Sequence, residues 1–315
     1  MITQINAISA KMILSSKDVD VADYAGRYKN LQERLGIDFD HVLLSMRYVP
    51  PCVPIARHSD VRTKIAELIG GRMSEIKSEL PEIVGRSLSC LRHEGEHDLL
   101  KDGVVPLVRE LLGKLAGISL IPQREGSLVS YLFSQTLGVA RRKRMEDEYR
   151  ELWAAIASAF PDESEGRRGA RLALVILGFD ATIGTVGCSL RDLMCEEPAL
   201  MSTLPFEKSP AITGVPYVDR TATAAFSLNG QQFRSGEALR VNLESGAEVP
   251  DKSVPALLFG AGPHSCLGRS LTLGLWSAIS REIRATPGSI SVVDFGLSKN
   301  DVFRIPDKFI VRVSM

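Results

Sequence analysis

A single cysteine in a glycine-rich loop, Phe259-Gly260-Ala261-Gly262-Pro263-His264-Ser265-Cys266-Leu267-Gly268-Arg269, constrains this chain more than any other stretch. Glycine lacks Cβ, so the backbone there can turn tightly and lie close to a flat ligand. The loop opens an apolar run, 267–279, that reads as a buried helix. Cys266 stands just before that helix, where unpaired N–H groups and the positive dipole end favour thiolate over thiol. A thiolate held by backbone donors, with Phe259 close by, suits the axial position of a haem iron. The competing reading is a buried free cysteine after a tight turn.

Charge is balanced, with 38 Lys and Arg against 38 Asp and Glu and a pI near 7.0. That balance gives no electrostatic case for nucleic acid or an anionic membrane. No apolar run is expected to span a bilayer, and Met1-Ile2-Thr3-Gln4 lacks the basic and apolar regions of a signal peptide. A cytoplasmic location is therefore expected. The five cysteines, Cys52, Cys90, Cys188, Cys195 and Cys266, are widely spread with no CxxC pair. Neither a disulfide framework nor a zinc knuckle follows from them. With 44% hydrophobic residues, the 315-residue chain suits one large domain over 1–315.

No repeat, low-complexity tract or linker-like stretch interrupts the chain. Apolar residues at three- and four-residue spacing predict helices near 18–36, 59–80, 103–119, 128–160 and 168–196, with Pro161 and Pro198 marking two ends. Between 213 and 243 the pattern changes to short strands, 221–228 and 238–243, punctuated by the turn signals Asn229-Gly230 and Ser235-Gly236. A last strand is expected at 309–313. The fold class is mostly α with a small β region.

The spacing Phe-Gly-x-Gly-x-His-x-Cys-x-Gly, filled by Phe259, Gly260, Gly262, His264, Cys266 and Gly268, resembles the haem-binding loop of soluble bacterial cytochromes P450. The resemblance implies a reduced cytochrome-P450-like fold, haem b (iron protoporphyrin IX) as cofactor and Cys266 as the iron ligand. Haem carries two propionates, and burying them requires cationic partners. Arg57-His58-Ser59-Asp60-Val61-Arg62 resembles the family's His-x-x-x-Arg helix, which implies His58 and Arg62 for that role. Arg220, within Tyr217-Val218-Asp219-Arg220-Thr221, and His264 stand where the family places two more. Taken singly, each is an ordinary exposed cation. Their joint order around the cysteine loop carries the reading.

The segment 173–182, Ala-Leu-Val-Ile-Leu-Gly-Phe-Asp-Ala-Thr, resembles the core of the helix that crosses the distal face of the haem in that family. Gly178 would let the backbone approach the porphyrin, and Asp180 would serve a proton relay. The family's first threonine is replaced by Ala181. Thr182 is its neighbour, about 100° further round a helix, so it does not simply substitute. Asp180, Ala181 and Thr182 are the candidate catalytic positions.

The chain is shorter than typical members and matches from about Tyr48 to Val313, with gaps. A Glu-x-x-Arg pair is missing between Pro198 and Arg220. Glu237-Ala238-Leu239-Arg240 has the spelling but enters a strand, where the two side chains face opposite ways. Glu165-Gly166-Arg167-Arg168 has it in the wrong place. The N-terminal β region reads as largely missing, and the stretch before the cysteine loop as cut to 244–258. Arg141-Arg142-Lys143-Arg144 reads as a solvated helix start. His93 and His97 read as part of a polar loop, with no third metal ligand at suitable spacing.

Together these features imply a haem-thiolate oxidoreductase of the monooxygenase class, acting on a small or medium apolar biosynthetic intermediate and served by a ferredoxin-type redox partner. Substrate choice would fall to 126–160 and 211–216. Ala181 and the trimmed proximal side keep open a haem protein outside the usual oxygen cycle: peroxide-driven, or an isomerase, dehydratase or coupling enzyme. The missing Glu-x-x-Arg pair keeps open a non-catalytic haem-binding relative.

Overall fold

A computed structural model of the chain describes residues 2–118, 128–244 and 257–315. In chain order these form β1 (Ile2–Ile5), α1 (Ala7–Ser15), β2 (Val19–Val21), α2 (Tyr24–Leu35), α3 (Asp40–Met46) and α4 (Ile55–Ser87). There follow β3 (Gly95–Asp98), a π-helical stretch Leu99–Val104, α5 (Val105–Ala116), α6 (Val139–Ala159), α7 (Glu165–Leu193) and β4 (Ala199–Leu200). The chain closes with β5 (Tyr217–Ala222), β6 (Phe226–Leu228), β7 (Gln231–Phe233), β8 (Ala238–Asn242), α8 (Arg269–Ala285), β9 (Ser289–Leu297) and β10 (Pro306–Ser314). The expected class, mostly α with a small β region, is the one observed.

The chain divides into two compact units. The first takes the described residues of Met1–Leu68, Pro122–Leu177 and Pro216–Leu267; the second takes those of Ile69–Ile121, Gly178–Val215 and Gly268–Met315. Helices α4 and α7 run through both.

In the first unit a four-stranded sheet has the order β1-β8-β5-β2, with β1 parallel to β8 and the other pairs antiparallel. Two expectations are corrected here. The helix predicted from about 18 begins instead as β2, because Val19 and Val21 add an edge to β5 before Asp23 caps α2 by accepting the Gly26 N–H at 2.7 Å. The N-terminal β region is present as β1 and β2, which are too short to stand out by alternation alone. Helix α6 is tied to α3 at both ends of the contact. The Glu146 carboxylate accepts the His41 and Val42 N–H groups at 3.0 and 2.9 Å, and Trp153 Nε1 donates to Ser45 Oγ at 2.8 Å.

In the second unit a sheet of order β3-β10-β9-β4 stands with α5 and α8. The predicted apolar helix after Cys266 is α8, and Leu271, Leu275, Trp276, Ala278, Ile279 and Ile283 form its buried face at three- and four-residue spacing.

Helix α7 has 29 residues and is long and apolar enough to cross a bilayer by length and composition, contrary to the expectation that no such run exists. Of that apolar stretch 61% is buried inside the protein, which is how a core helix meets the same test.

Candidate functional site

The cysteine loop is built from backbone bonds that only glycine permits. The Cys266 N–H donates to the Phe259 carbonyl at 2.8 Å, and the Gly260 N–H to the Leu257 carbonyl at 2.9 Å. Gly260 and Gly262 both take a left-handed φ of 67°. A Cβ on Gly262 would lie 2.3 Å from the Leu14 carbonyl oxygen at the end of α1, so any other residue would push the loop off that helix. Phe259 is buried, whereas Cys266 is exposed. Gly268 stands at the N-cap of α8 and offers no side-chain cap, which leaves the first-turn N–H groups without one.

Four cation-capable side chains of the first unit gather near this loop. The His58 and His264 rings lie with centroids 3.8 Å apart at 43°. His58 Nε2 and both ring nitrogens of His264 are buried with no hydrogen-bond partner among the described residues. Burial, then the Arg62 and Arg220 guanidinium groups, lower His58 to about 4 from an ordinary 6.5. Burial, then Arg220, His58 and Arg62, lower His264 to about 3. Arg62 is held below its ordinary value by its own burial, with Cys266 acting in the opposite sense. Arg220 is 6% exposed, and its Nη1 donates to the Asp219 carbonyl at 2.8 Å. The Asp219 carboxylate acts on Arg220 only through its charge. It takes Arg240 at 2.8 and 3.0 Å and Gln135 at 2.8 Å.

A buried polar atom without a partner costs about 1–3 kcal/mol, and three cluster at this spot. Two imidazoles and two guanidinium groups together make a donor set for a dianion. The propionates of a haem fit it, and the Cys266 thiolate fits the iron. The residues present therefore suit the cofactor that the motif implies.

The distal candidates Gly178, Asp180, Ala181 and Thr182 belong to the second unit, as does Gly268. On α7 the stretch 177–182 is half-buried between the fully buried stretches 170–176 and 183–190. The close approach that Gly178 permits is to α5, since a Cβ there would lie 2.8 Å from Leu112 Cδ2. The Ala181 carbonyl accepts the Thr185 hydroxyl at 2.7 Å.

Several sequence readings take new form. Arg142 is not solvated: it is 4% exposed and donates to the Leu137 carbonyl, the Tyr28 hydroxyl and the Ser134 carbonyl at 2.8, 2.7 and 3.0 Å. Glu237 accepts the Thr3 hydroxyl at 2.6 Å, while Arg240 pairs across the ladder with Asp219, so the Glu-x-x-Arg spelling there is accidental. Glu165 takes the Tyr48 hydroxyl, and the ring of His97 contacts the His93 carbonyl at 2.8 Å. Of the stretches assigned to substrate choice, Gly126 and Ser127 lie outside the described residues, and so does most of the shortened stretch 244–258 before the cysteine loop. One residue the sequence did not reveal is Asp20 on β2. Its carboxylate accepts the Ile55 N–H at 3.2 Å and caps α4, whose own preceding residue is Pro54. The available hint was a long helix without a cap of its own.

No family model matches the sequence, and no curated protein does. Solved structures do match over nearly the whole chain. CalO2 aligns with 98% of this chain and 90% of its own at TM-score 0.75 and 13% identity. P450 RauA, complexed with a biosynthetic intermediate of aurachin RE, aligns with 99% and 90% at TM-score 0.71 and 18% identity. A thermophilic cytochrome P450 from Sulfolobus tokodaii aligns with 98% and 92% at TM-score 0.68 and 20% identity.

Proposed function

The chain has the cytochrome P450 fold, and from that premise we propose that it is a haem-thiolate oxidoreductase. Residues 1–315 would work as one haem b domain, with a monooxygenase reaction on a small or medium apolar biosynthetic molecule and a ferredoxin-type protein as electron donor. The observation that carries the reading is the tilted imidazole pair His58 and His264 beside Arg62 and Arg220, with Nε2 of His58 and both ring nitrogens of His264 buried and without a hydrogen-bond partner among the described residues. Haem, when bound through a thiolate, supplies the redox chemistry and oxygen activation.

Each candidate residue would have its own task. Cys266 presents its sulfur from a loop whose geometry Gly260 and Gly262 determine. Arg62 and His264, with His58 and Arg220 in support, would hold the propionates by charge-assisted hydrogen bonds. Asp180 is the acid on α7 whose carboxyl would hold and pass a proton, with Thr182 ordering water beside it. The neighbour complexed with a biosynthetic intermediate supports a biosynthetic substrate class here. The reduced, CO-bound protein should show the red-shifted Soret band of thiolate ligation, and an unshifted band overturns the proposal.

Ala181 favours a second reading. A side chain without a hydroxyl stands where the family's proton relay has one, which suits a peroxide-driven reaction or an isomerase, dehydratase or coupling enzyme. Turnover with hydrogen peroxide in the absence of any reductase distinguishes the peroxide-driven case from the first reading.

A further inference from the structure

Tyr24, Tyr28 and Tyr149 are buried in the core of the first unit. Two of them have their hydroxyls occupied. Tyr28 Oη donates to the Leu132 carbonyl at 3.4 Å and accepts Arg142 Nη1 at 2.7 Å, and Tyr149 Oη donates to the Val129 carbonyl at 2.9 Å. The Tyr24 hydroxyl has no hydrogen-bond partner among the described residues, although the side chain is only 5% exposed. Burying an unpaired hydroxyl costs free energy, and phenylalanine would fill the same space without that cost. The ring itself is firmly held. Phe133 meets it edge-on with centroids 5.2 Å apart, and the Arg27 guanidinium lies 5.6 Å from its centroid.

Tyr24 opens α2, three residues after Val21, which faces Arg220 across the β2–β5 ladder. The phenol and the Arg220 guanidinium lie close enough for each charge to act on the other. Arg220 spends one N–H on the Asp219 carbonyl, and its guanidinium makes no other hydrogen bond among the described residues. Its charge also lowers both His58 and His264, so Tyr24 shares the electrostatic neighbourhood of the propionate donors. A further cation there would be repelled by the groups already present. A phenol adds a donor without adding charge. Burial, then the Asp219 carboxylate, hold the Tyr24 phenol well above its ordinary value, so it keeps its proton.

We propose that Tyr24 is a cofactor-binding residue whose hydroxyl donates a hydrogen bond to the haem propionate that Arg220 also takes. The inference rests on the haem-thiolate reading above. A carboxylate offers about four lone-pair sites on its two oxygens, which is room for a phenol beside guanidinium and imidazole.

Tyr24→Phe removes the hydroxyl and keeps the ring. Haem affinity, from Soret titration of the cofactor-free chain, should fall by roughly three- to tenfold, the scale of one net hydrogen bond. The thiolate band of the CO-bound form should not move. The urea midpoint of the cofactor-free chain should stay the same or rise, because the variant loses no partner within the chain. Two haem analogues, each lacking one of the two propionates, locate the contact: the loss should persist with one and vanish with the other. Unchanged haem affinity in a parent and variant that both show the thiolate band overturns this inference alone. A lowered midpoint, or a variant that does not fold, makes the hydroxyl part of the fold and overturns it too. So does an equal loss of affinity with both analogues. A parent protein that shows no thiolate-type Soret band fails the haem reading itself, and the inference falls with it.

Discussion

At the scale of single residues, the proposed chemistry rests on Cys266 and the cations beside it. Cys266→Ala should abolish the thiolate signature of the CO-bound form and leave a folded chain by circular dichroism. A retained signature would move the ligand to another cysteine. Arg62→Ala should lower haem affinity by about 10- to 100-fold, as expected for one charge-assisted bond, without shifting the thiolate band. The imidazole pair makes a pH prediction. His58 and His264 are lowered to about 4 and about 3, so below pH 6.5 the unfolded chain binds more protons than the folded one. Stability of the cofactor-free chain should therefore fall as pH drops from about 6.5 toward 4. Urea midpoints at pH 7 and pH 5 measure this, and His58→Gln should flatten the slope. In the haem-loaded chain the slope should be shallower, since the propionates would offset the burial of both imidazoles.

At the scale of elements, α4 and α7 position what the residues do. Helix α4 carries His58 and Arg62 in its first two turns and depends on Asp20 of β2 for its cap. Asp20→Ala should cost about 1 kcal/mol of stability, while Asp20→Asn, whose amide oxygen can still cap, should cost less. Equal losses in the two variants would show that charge, not capping, is what Asp20 provides. For α7, Asp180→Asn should depress reductase-driven turnover by about 10²–10⁴-fold and peroxide-driven turnover much less, because peroxide brings its own protons. Ala181→Thr should speed oxygen-dependent turnover or reduce uncoupling. Unchanged oxygen-driven rates in both variants favour the peroxide or non-oxygen reading.

At the scale of the whole molecule, the legible features were those written in local spacing. The loop Phe259–Gly268 displays its glycines and cysteine within ten residues, and the structure gives Gly260 and Gly262 the left-handed backbone that glycine alone adopts without strain. Helices α5, α7 and α8 followed from apolar residues at helical spacing, since one buried face is enough to write that period into a sequence, and so did α6, although it starts at Val139 and not at 128, after a separate 3-10 turn Val129–Phe133. Features that depend on a distant partner were not legible. Asp20 caps a helix that starts 35 positions later, Arg142 is buried by Tyr28 and the carbonyls of Ser134 and Leu137, and Thr185 meets Gly214 across a loop. Strands β1 and β2 exist because neighbours offer them a ladder, and short strands carry too few alternations to declare themselves. The sequence by itself determined the class of fold, and it marked Cys266 and the cations around it as the residues proposed to hold a haem. Tertiary structure alone decided which polar groups find partners and which, like Nε2 of His58 and both ring nitrogens of His264, have none among the described residues, because pairing is settled by packing and not by order along the chain.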